Sequence, residues 1–309
     1  MMDKNYIEIV RLLLESAPVI FETPHFAMKG GTAINLFIED MPRLSVDIDV
    51  VYTNHQATRD EALKSISIGL EATRKRLAKA GLESEISATK DGDEIKLFIR
   101  RGRNQVKVEV NHVFRGTVLP VETRQLGAEA RKLFTTELSV PVLAMPELYG
   151  SKLVAAMDRQ HPRDLFDVHG LYEHGGLTAE VIECFVSYLA GHNRPVHEVL
   201  FSRDVEIASA FENEFAGMAR APVTLAELQR VRKKLKTELP EALTPNHRQF
   251  LLGLVAGEPD WQLMRCPYLS QLPAIRWKLH NLAKLKKSNP GKFVQQAEEL
   301  RILLVQGRH

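Results

Sequence analysis

Two segments, Ser45–Tyr52 and Gln105–Val113, alternate between apolar and polar side chains at every second residue. Because successive side chains of a β-strand point to opposite faces, each segment predicts a strand with one buried and one polar face. Such strands need a sheet whose apolar face is covered by a core, which excludes an all-helical fold for this part of the chain. The polar face carries Asp47 and Asp49 in the first segment and Glu109 in the second.

The pattern changes along the chain. Strand-like and helical segments alternate up to about Pro141, and helical periodicity dominates after Pro146. The change predicts an α+β domain over residues 1–145 followed by an all-helical domain over residues 146–309. Further strands are expected at Phe26–Lys29, Leu82–Ala88, Glu94–Arg100 and, more weakly, Val118–Thr123, with turns at Asp91–Asp93 and Arg101–Asn104 that predict an antiparallel meander. Helices are expected at about Thr58–Ala80, from Pro146 onward, and at Thr178–Ala190, Val205–Met218, Thr224–Thr237, His247–Val255, Pro273–Lys286 and Gly291–Leu304.

Composition narrows the class of protein. With 44% hydrophobic and 26% charged residues among 309, the chain can bury a core. The balance of 41 Lys and Arg against 39 Asp and Glu excludes a uniformly basic nucleic-acid coat. Two distant cysteines exclude a disulfide framework and a cysteine-based zinc site and fit a reducing compartment. Charged residues interrupt the first twenty positions, so we expect no signal peptide or membrane span and a cytoplasmic protein.

A Lys-Gly-Gly-Thr-Ala sequence, residues 29–33, joins the first predicted strand to a helix. Glycines at such a turn let the backbone approach a phosphate, and a helix N-terminus offers unpaired N–H groups. Gly30, Gly31 and Thr32 therefore predict an anion cradle. A Gly-Gly turn by itself is more often a simple connection.

The carboxylates predict a metal site. Asp47 and Asp49 lie on one strand face with Cα atoms about 6 to 7 Å apart, so they can share a divalent ion. Two-metal nucleotidyl transfer needs a third carboxylate, which Glu109 supplies if its strand is an antiparallel neighbour of the Asp47 strand. Each of these residues alone would be an ordinary exposed strand residue. Their order along the chain, after the glycine turn, favours the functional interpretation.

The predicted helices after Pro146 carry a second charged group. Lys152 and Arg159 are seven residues apart and share one helical face, from which they could reach nucleotide phosphates. Asp164 and Asp167 share a face of the next helix and could orient those bases. The alternative is an ordinary lattice of ion pairs on a helix surface.

Three motifs carry a resemblance: residues 29–33, Arg43-x-Ser45-x-Asp47-x-Asp49, and the Lys152 to Asp167 segment. With them, Phe26 to Leu171 resembles the DNA polymerase β-like nucleotidyltransferase superfamily, and within it the AbiEii/AbiGii-type toxin family that includes the MenT-like toxins. The resemblance implies a polymerase β-like mixed sheet flanked by helices, with a helical C-terminal domain. The superfamily usually has Gly-Ser where this chain has Gly31-Thr32, a mild departure because Thr also offers a hydroxyl.

The resemblance also implies a reaction and its participants. A nucleoside monophosphate would pass from an NTP to an acceptor, with Mg²⁺ (or Mn²⁺) bound by Asp47, Asp49 and Glu109. Lys152 would neutralise the leaving pyrophosphate in a cleft between the two domains. The remaining expected nucleotide-binding and supporting residues are Gly30, Gly31, Thr32, Arg43, Ser45, Arg159 and Asp164. The 3′ end of tRNA or another RNA is the expected acceptor and a cognate antitoxin the expected partner, with no membrane involved.

Two alternatives stay open at this point. The acceptor could be a small-molecule or protein hydroxyl, or the chain could bind nucleotide or RNA without turnover. The basic segments 230–236 and 284–287 could dock RNA phosphates or be solvated helix faces, and Trp277 could stack on a base or be a half-buried helix residue. The sequence contains no His-Glu-x-x-His, Walker A or Gly-x-Ser-x-Gly motif, which argues against a zinc hydrolase, a P-loop NTPase and an α/β-hydrolase.

Overall fold

The computed structural model describes residues 4–88 and 94–306. The chain forms two compact units, Met1–Leu148 with Ala216–Pro222, and Tyr149–Phe215 with Val223–His309. The division into domains at residues 145 and 146 stays a prediction, and the predicted turn at Asp91–Asp93 falls outside the described residues. Among the residues that the structure describes, no helix is long and apolar enough to cross a membrane.

The first unit is built on a mixed sheet that has seven strands among the described residues. Their order across the sheet is β3-β4-β5-β2-β1-β7-β6. The β2–β5 and β1–β7 pairs are parallel and the other pairs are antiparallel, including the predicted meander of β3, β4 and β5. The strands are β1 (Phe26–Lys29), β2 (Asp47–Tyr52), β3 (Glu83–Ala88), β4 (Glu94–Arg101), β5 (Asn104–Asn111), β6 (Glu122–Gln125) and β7 (Ser139–Val142). The mixed sheet confirms the α+β fold class.

Helices of this unit start and end at residues whose chemistry fixes them. The helix α3 (Arg59–Lys79) begins at Thr58, whose hydroxyl accepts the Glu61 N–H while the Glu61 carboxylate accepts the Thr58 N–H. It ends before Gly81, which has a φ of +74°. The other helices are α1 (Lys4–Phe21), α2 (Gly30–Ala33), which continues as a π-helical turn over Ile34–Ile38, and α4 (Ala128–Phe134).

The apolar face of the sheet forms the core beneath the candidate site. Ile48 and Val50 of β2 are fully buried, as are Val106, Val108 and Val110 of β5. Each buried side chain of this size contributes roughly 1.5 to 3 kcal/mol of transfer free energy. The alternating polar residues of the same strands are therefore held on a rigid support.

Helices make up the second unit. The helix α5 (Met145–Asp158) begins in the first unit and continues into the second. The helices that follow are α6 (Pro162–Glu173), α7 (Ala179–Ala190), α8 (Val196–Leu200), α9 (Ala208–Ala210), which continues as a π-helical turn over Phe211–Phe215, α10 (Leu225–Glu241), α11 (Pro245–Ala256), α12 (Pro273–Ser288) and α13 (Pro290–Gln306). This confirms the helical C-terminal region.

Two predicted elements differ from the structure. The helix expected at Val205–Met218 is confined to residues 208–215, because the backbone before it serves as a hydrogen-bond acceptor instead. The carbonyl oxygen of Val205 accepts from the buried Arg232, and that of Arg203 accepts from Gln160. The weak strand expected at Val118–Thr123 begins only at β6, because the Val118 and Leu119 N–H groups donate to the buried Glu147 carboxylate at 2.8 and 2.9 Å.

A late segment of the chain completes the first unit. Residues 216–222 run beside the loop before β2, where the Leu44 N–H donates to the Met218 carbonyl oxygen at 2.9 Å and the Arg220 N–H donates to that of Pro42 at 2.8 Å. Arg43 and Ala219 form an antiparallel bridge between the two stretches. The loop that carries Arg43 therefore depends on a segment almost 180 residues further along the chain.

Candidate active site

A row of four charged residues crosses the sheet at the candidate site. Lys29 of β1 is paired in register with Asp49 of β2, Asp49 with Glu109 of β5, and Glu109 with Lys96 of β4. The sequence-based expectation that β5 runs antiparallel to β2 is wrong, since the pair is parallel. The two carboxylates nevertheless face each other across neighbouring strands, because a parallel register also aligns residues of the same face.

Lysines surround the Glu109 carboxylate. Its Oε1 lies 3.0 Å from Lys96 Nζ and 3.2 Å from Lys107 Nζ, and Lys107 Nζ is also 3.8 Å from Asp47 Oδ1. Burial alone would raise the pKa of Glu109, but hydrogen bonds and charge from Lys96 and Lys107 lower it below its usual value. Glu109 is therefore an ionised carboxylate bridged to Asp47 by a lysine.

Gly30 lies directly against the Asp49 carboxylate. Its φ of +75° favours glycine, and a Cβ at this position would lie 2.1 Å from Asp49 Oδ2. A side chain at residue 30 would therefore displace the carboxylate. The glycine turn and the second aspartate of the Asp-x-Asp pair form one packed unit.

Buried polar side chains stabilise the glycine turn and the start of β2. The Thr32 hydroxyl donates to the Asp47 carbonyl oxygen and lies 2.8 Å from the Ser45 hydroxyl. The Arg43 guanidinium is buried and donates to the Leu44 carbonyl oxygen at 2.9 Å. A Cβ added at Gly31 would lie 2.7 Å from Arg43 Nη2. The side chains of Thr32 and Arg43 thus support the backbone around the carboxylates, and their predicted contact with a triphosphate stays a prediction.

The donor set suits a divalent ion in its chemistry. Asp47, Asp49 and Glu109 offer carboxylate oxygens, the ligands that Mg²⁺ and Mn²⁺ prefer, on one face of a rigid sheet. Within residues 4–88 and 94–306, no three His, Cys, Asp or Glu side chains converge into a metal cluster. The carboxylates suit a metal in their chemistry and share one sheet face, but they do not converge on a common point, and Glu109 is bound to two lysines.

The second charged group is a buried ion-pair cluster of the helical unit. Lys152 Nζ donates to Asp164 Oδ1 at 2.7 Å and lies 3.0 Å from Asp167 Oδ2, and all three side chains are at most 7% exposed. Arg159 donates to both oxygens of Asp164 at 2.5 and 3.0 Å, while its side chain is 63% exposed. Burial alone would raise the pKa of Asp164, but Lys152 and Arg159 hold it well below its usual range. The predicted grouping of these residues is present, although as a buried cluster and not as a surface lattice.

Sequence reasoning missed the lysines. Lys107 lies two residues from Glu109, so its place on the polar face was visible in the sequence, but its contact with Asp47 depends on the β2–β5 register. Lys96 reaches Glu109 through the β4–β5 pairing, which nothing in the local sequence specifies. Charge alternation on adjacent predicted strands was the only available signal.

The basic segments of the helical unit divide into structural and exposed residues. In 230–236, Arg232 is buried against Gln160, and Lys236 contacts Asp204, so neither extends freely into solvent. On α12, Lys278 is also buried, donating to two backbone carbonyl oxygens, and burial lowers its pKa to about 8. The first segment is therefore only partly a solvated face.

The exposed face of α12 is basic and aromatic. Trp277 is 50% exposed and stacks on His280, with ring centroids 5.6 Å apart and an interplanar angle of 15°. Arg276 and Lys284 are exposed on the same stretch, and the sequence of α12 contains no Asp or Glu. This face combines positive charge with an accessible ring.

Comparison with known proteins places this geometry in a family. The profile of the family described as "Nucleotidyl transferase AbiEii toxin, Type IV TA system" matches residues 11–281. Among solved structures, the fold is similar to MenT4, a nucleotidyltransferase toxin from Mycobacterium tuberculosis H37Rv, with a TM-score of 0.60 and 18% identity over 81% of this chain and 89% of that one. No curated protein matches the chain. The family profile covers most of the sequence, including every candidate site residue, and the chain therefore belongs to the AbiEii family of nucleotidyltransferase toxins.

Proposed function

We propose that this nucleotidyltransferase uses a divalent ion, held by Asp47 and Asp49, to transfer a nucleoside monophosphate from an NTP to RNA. Membership of the toxin family implies an NTP substrate and an antitoxin partner. The observation that carries the proposal is the packing of the Asp49 carboxylate against Gly30 and in register with Glu109. This arrangement holds the carboxylates rigidly beside the glycine turn, where the glycines have no side chain to cover the backbone that would approach a phosphate.

The residues around the carboxylates would act by positioning and charge. A bound Mg²⁺ would supply positive charge for the phosphates, and Glu109 would complete the carboxylate set near the acceptor hydroxyl. Thr32 fixes the strand at Asp47, and Ser45 and the buried Arg43 support the turn at Gly31. Phosphoryl transfer relies mainly on positioning and electrostatic stabilisation, so no covalent nucleophile is needed.

In the helical unit, we assign to Lys152 and Arg159 the role of neutralising the negative charge of the leaving pyrophosphate. The side chain of Arg159 is 63% exposed and that of Lys152 is 7% exposed. This difference favours Arg159 as the group that contacts phosphate oxygens. Lys152 would then contribute a cation whose place is fixed by Asp164 and Asp167.

The acceptor is assigned from surface chemistry. The face of α12 offers Arg276 and Lys284 for phosphates and an exposed Trp277 for base stacking, a combination typical of proteins that bind single-stranded nucleic acid. This supports an RNA acceptor, with the 3′ end of tRNA as the specific candidate. A small-molecule or protein hydroxyl is the alternative acceptor.

The test is transfer of label from each α-labelled NTP in the presence of Mg²⁺ and total RNA, followed by gel electrophoresis. We expect label in an RNA band with the wild-type protein, and at least about a 100-fold loss of rate in Asp47→Asn, which removes metal-binding charge with little change in volume. Asp60→Asn, at an exposed position in the first turn of α3, is the matched control and should retain wild-type activity.

The outcomes separate the alternatives. Label on the protein or on a small product, identified by mass, would replace RNA as the acceptor. Transfer by Asp47→Asn within a few-fold of wild type would overturn the role of the carboxylates. Incorporation from none of the four NTPs would contradict NTP-dependent transfer.

A further inference from the structure

The sheet face that carries the three carboxylates also carries an unexpected cation. Lys107 is paired in register with Asp47 across the β2–β5 ladder and lies two residues from Glu109 on β5. Its Nζ is 3.8 Å from Asp47 Oδ1 and 3.2 Å from Glu109 Oε1. A single ammonium group therefore contacts carboxylates of two strands.

The Lys107 ammonium group and a divalent ion would have the same electrostatic effect on these carboxylates. Carboxylates on one sheet face repel each other, and a cation between two of them relieves that repulsion. A divalent ion shared by the same carboxylates would relieve it in the same way. The ammonium group and the ion are thus alternative sources of positive charge for Asp47 and Glu109, and each disfavours the other.

Building on the divalent-ion site of the proposed function, we propose that Lys107 is a positioning residue that acts as an internal cation. It holds Asp47 and Glu109 together and lowers the affinity of this sheet face for a free divalent ion. The side chains involved are 27 to 35% exposed, so the ammonium group can turn toward solvent when an ion binds. The protein alone therefore binds the ion weakly.

Lys96 provides an internal comparison. It contacts Glu109 at 3.0 Å from β4, one strand further from Asp47 than β5 is. Loss of its charge should affect ion binding less than loss of the Lys107 charge. Lys79, exposed in the last turn of α3, is the control for removal of a lysine elsewhere in the same unit.

The experiment measures binding of Mn²⁺ alone to the full-length protein, without nucleotide, by the electron paramagnetic resonance signal of free Mn²⁺. We expect Lys107→Met to bind Mn²⁺ about tenfold more tightly than wild type, as expected for loss of one nearby like charge at a partly exposed site. Lys107→Arg should restore wild-type affinity because it retains the charge, and Lys79→Met should match wild type. Lys107→Gln repeats the test with a polar side chain, and circular dichroism checks that each variant is folded.

The outcomes distinguish this inference from the proposed function. If wild type binds Mn²⁺ and the folded Lys107 variants bind it equally or more weakly, the role of Lys107 is overturned while the metal site stands. If neither wild type nor any Lys107 variant binds Mn²⁺, both the metal site and the inference are overturned. A similar gain in Lys96→Met and Lys107→Met would also contradict the inference, because it would show only a general effect of net charge.

Discussion

Removing the ammonium group of Lys152 should strongly destabilise the helical unit. In Lys152→Met, the buried carboxylates of Asp164 and Asp167 lose a cation that lies 2.7 and 3.0 Å away in the wild type. Breaking a buried ion pair by removing one partner costs about 3 to 5 kcal/mol. Arg159 still contacts Asp164, so we expect the lower end, about 3 kcal/mol of unfolding free energy.

The loss should depend on pH. In the wild type the pKa of Asp164 in the folded state lies well below its usual range, since Lys152 and Arg159 outweigh burial. A carboxyl with a depressed folded-state pKa contributes stability that is present above its unfolded pKa of about 3.9 and is lost as the pH falls below it. Without Lys152 burial is offset less, the pKa rises, and this contribution shrinks. The difference between wild type and variant should therefore persist from pH 7 down to about pH 4 and decrease as the pH falls further toward the folded-state pKa.

Urea unfolding followed by tryptophan fluorescence measures this difference, because Trp261 and Trp277 are the only tryptophans of the chain and both belong to the helical unit. Adding Asp167→Asn to Lys152→Met should recover at least about 1 kcal/mol, since one buried charge disappears. Lys64→Met, at an exposed position of α3, is the control. A loss below about 1 kcal/mol in Lys152→Met, or no recovery in the double variant, would refute the buried-cluster argument. Transfer activity of the folded variant then reports separately on the proposed role of Lys152 with pyrophosphate.

Two further predictions concern the first unit. Gly30→Ala should reduce the rate of transfer at least about 100-fold, because the new Cβ would lie 2.1 Å from the Asp49 carboxylate and residue 30 has a φ of +75°. NTP-dependent labelling measures the effect, and activity near wild type would contradict the packing argument. Glu147→Gln should lower the unfolding free energy by about 2 kcal/mol, because one of the two backbone N–H groups that donate to the buried carboxylate would face an amide NH₂ instead. Thermal unfolding measures the change, and an unchanged midpoint would be inconsistent with those hydrogen bonds.

Local chemistry made part of the fold predictable. The strand Phe26–Lys29 has the predicted bounds, and α3 lies within the predicted span Thr58–Ala80. The ends of α3 carry strong local signals, namely a capping box at Thr58 and a glycine at residue 81 with a φ of +74°. The strand β7 was missed because Ser-Val-Pro-Val is short and its pairing with β1 and β6 comes from distant segments. Propensity within a four-residue window cannot report such pairing.

The candidate site was predictable in its residue types and less so in its contacts. The sequence indicated that Asp47, Asp49 and Glu109 share a polar face, and the register of β2 and β5 brings Asp49 and Glu109 together. It could not indicate that Lys107 bridges two of them, or that Lys152 is buried. Both depend on which elements pack together, whereas sequence spacing reports only which residues of one element share a face.

The position of the late segment 216–222 in the chain affects when the first unit can be completed during translation. All strands of the sheet have been synthesised by residue 148, but the late segment 216–222, which pairs with the Arg43 loop, follows roughly 70 residues later. At about 5 to 20 residues per second, that interval lasts roughly 4 to 15 s. During this time the backbone around Gly31 lacks one of its supports, so we expect catalytic competence to arise only after the first part of the helical unit, Tyr149–Phe215, and the late segment 216–222 have been translated. In a chain with this order, the speed of translation sets the delay between synthesis of the sheet and completion of the first unit.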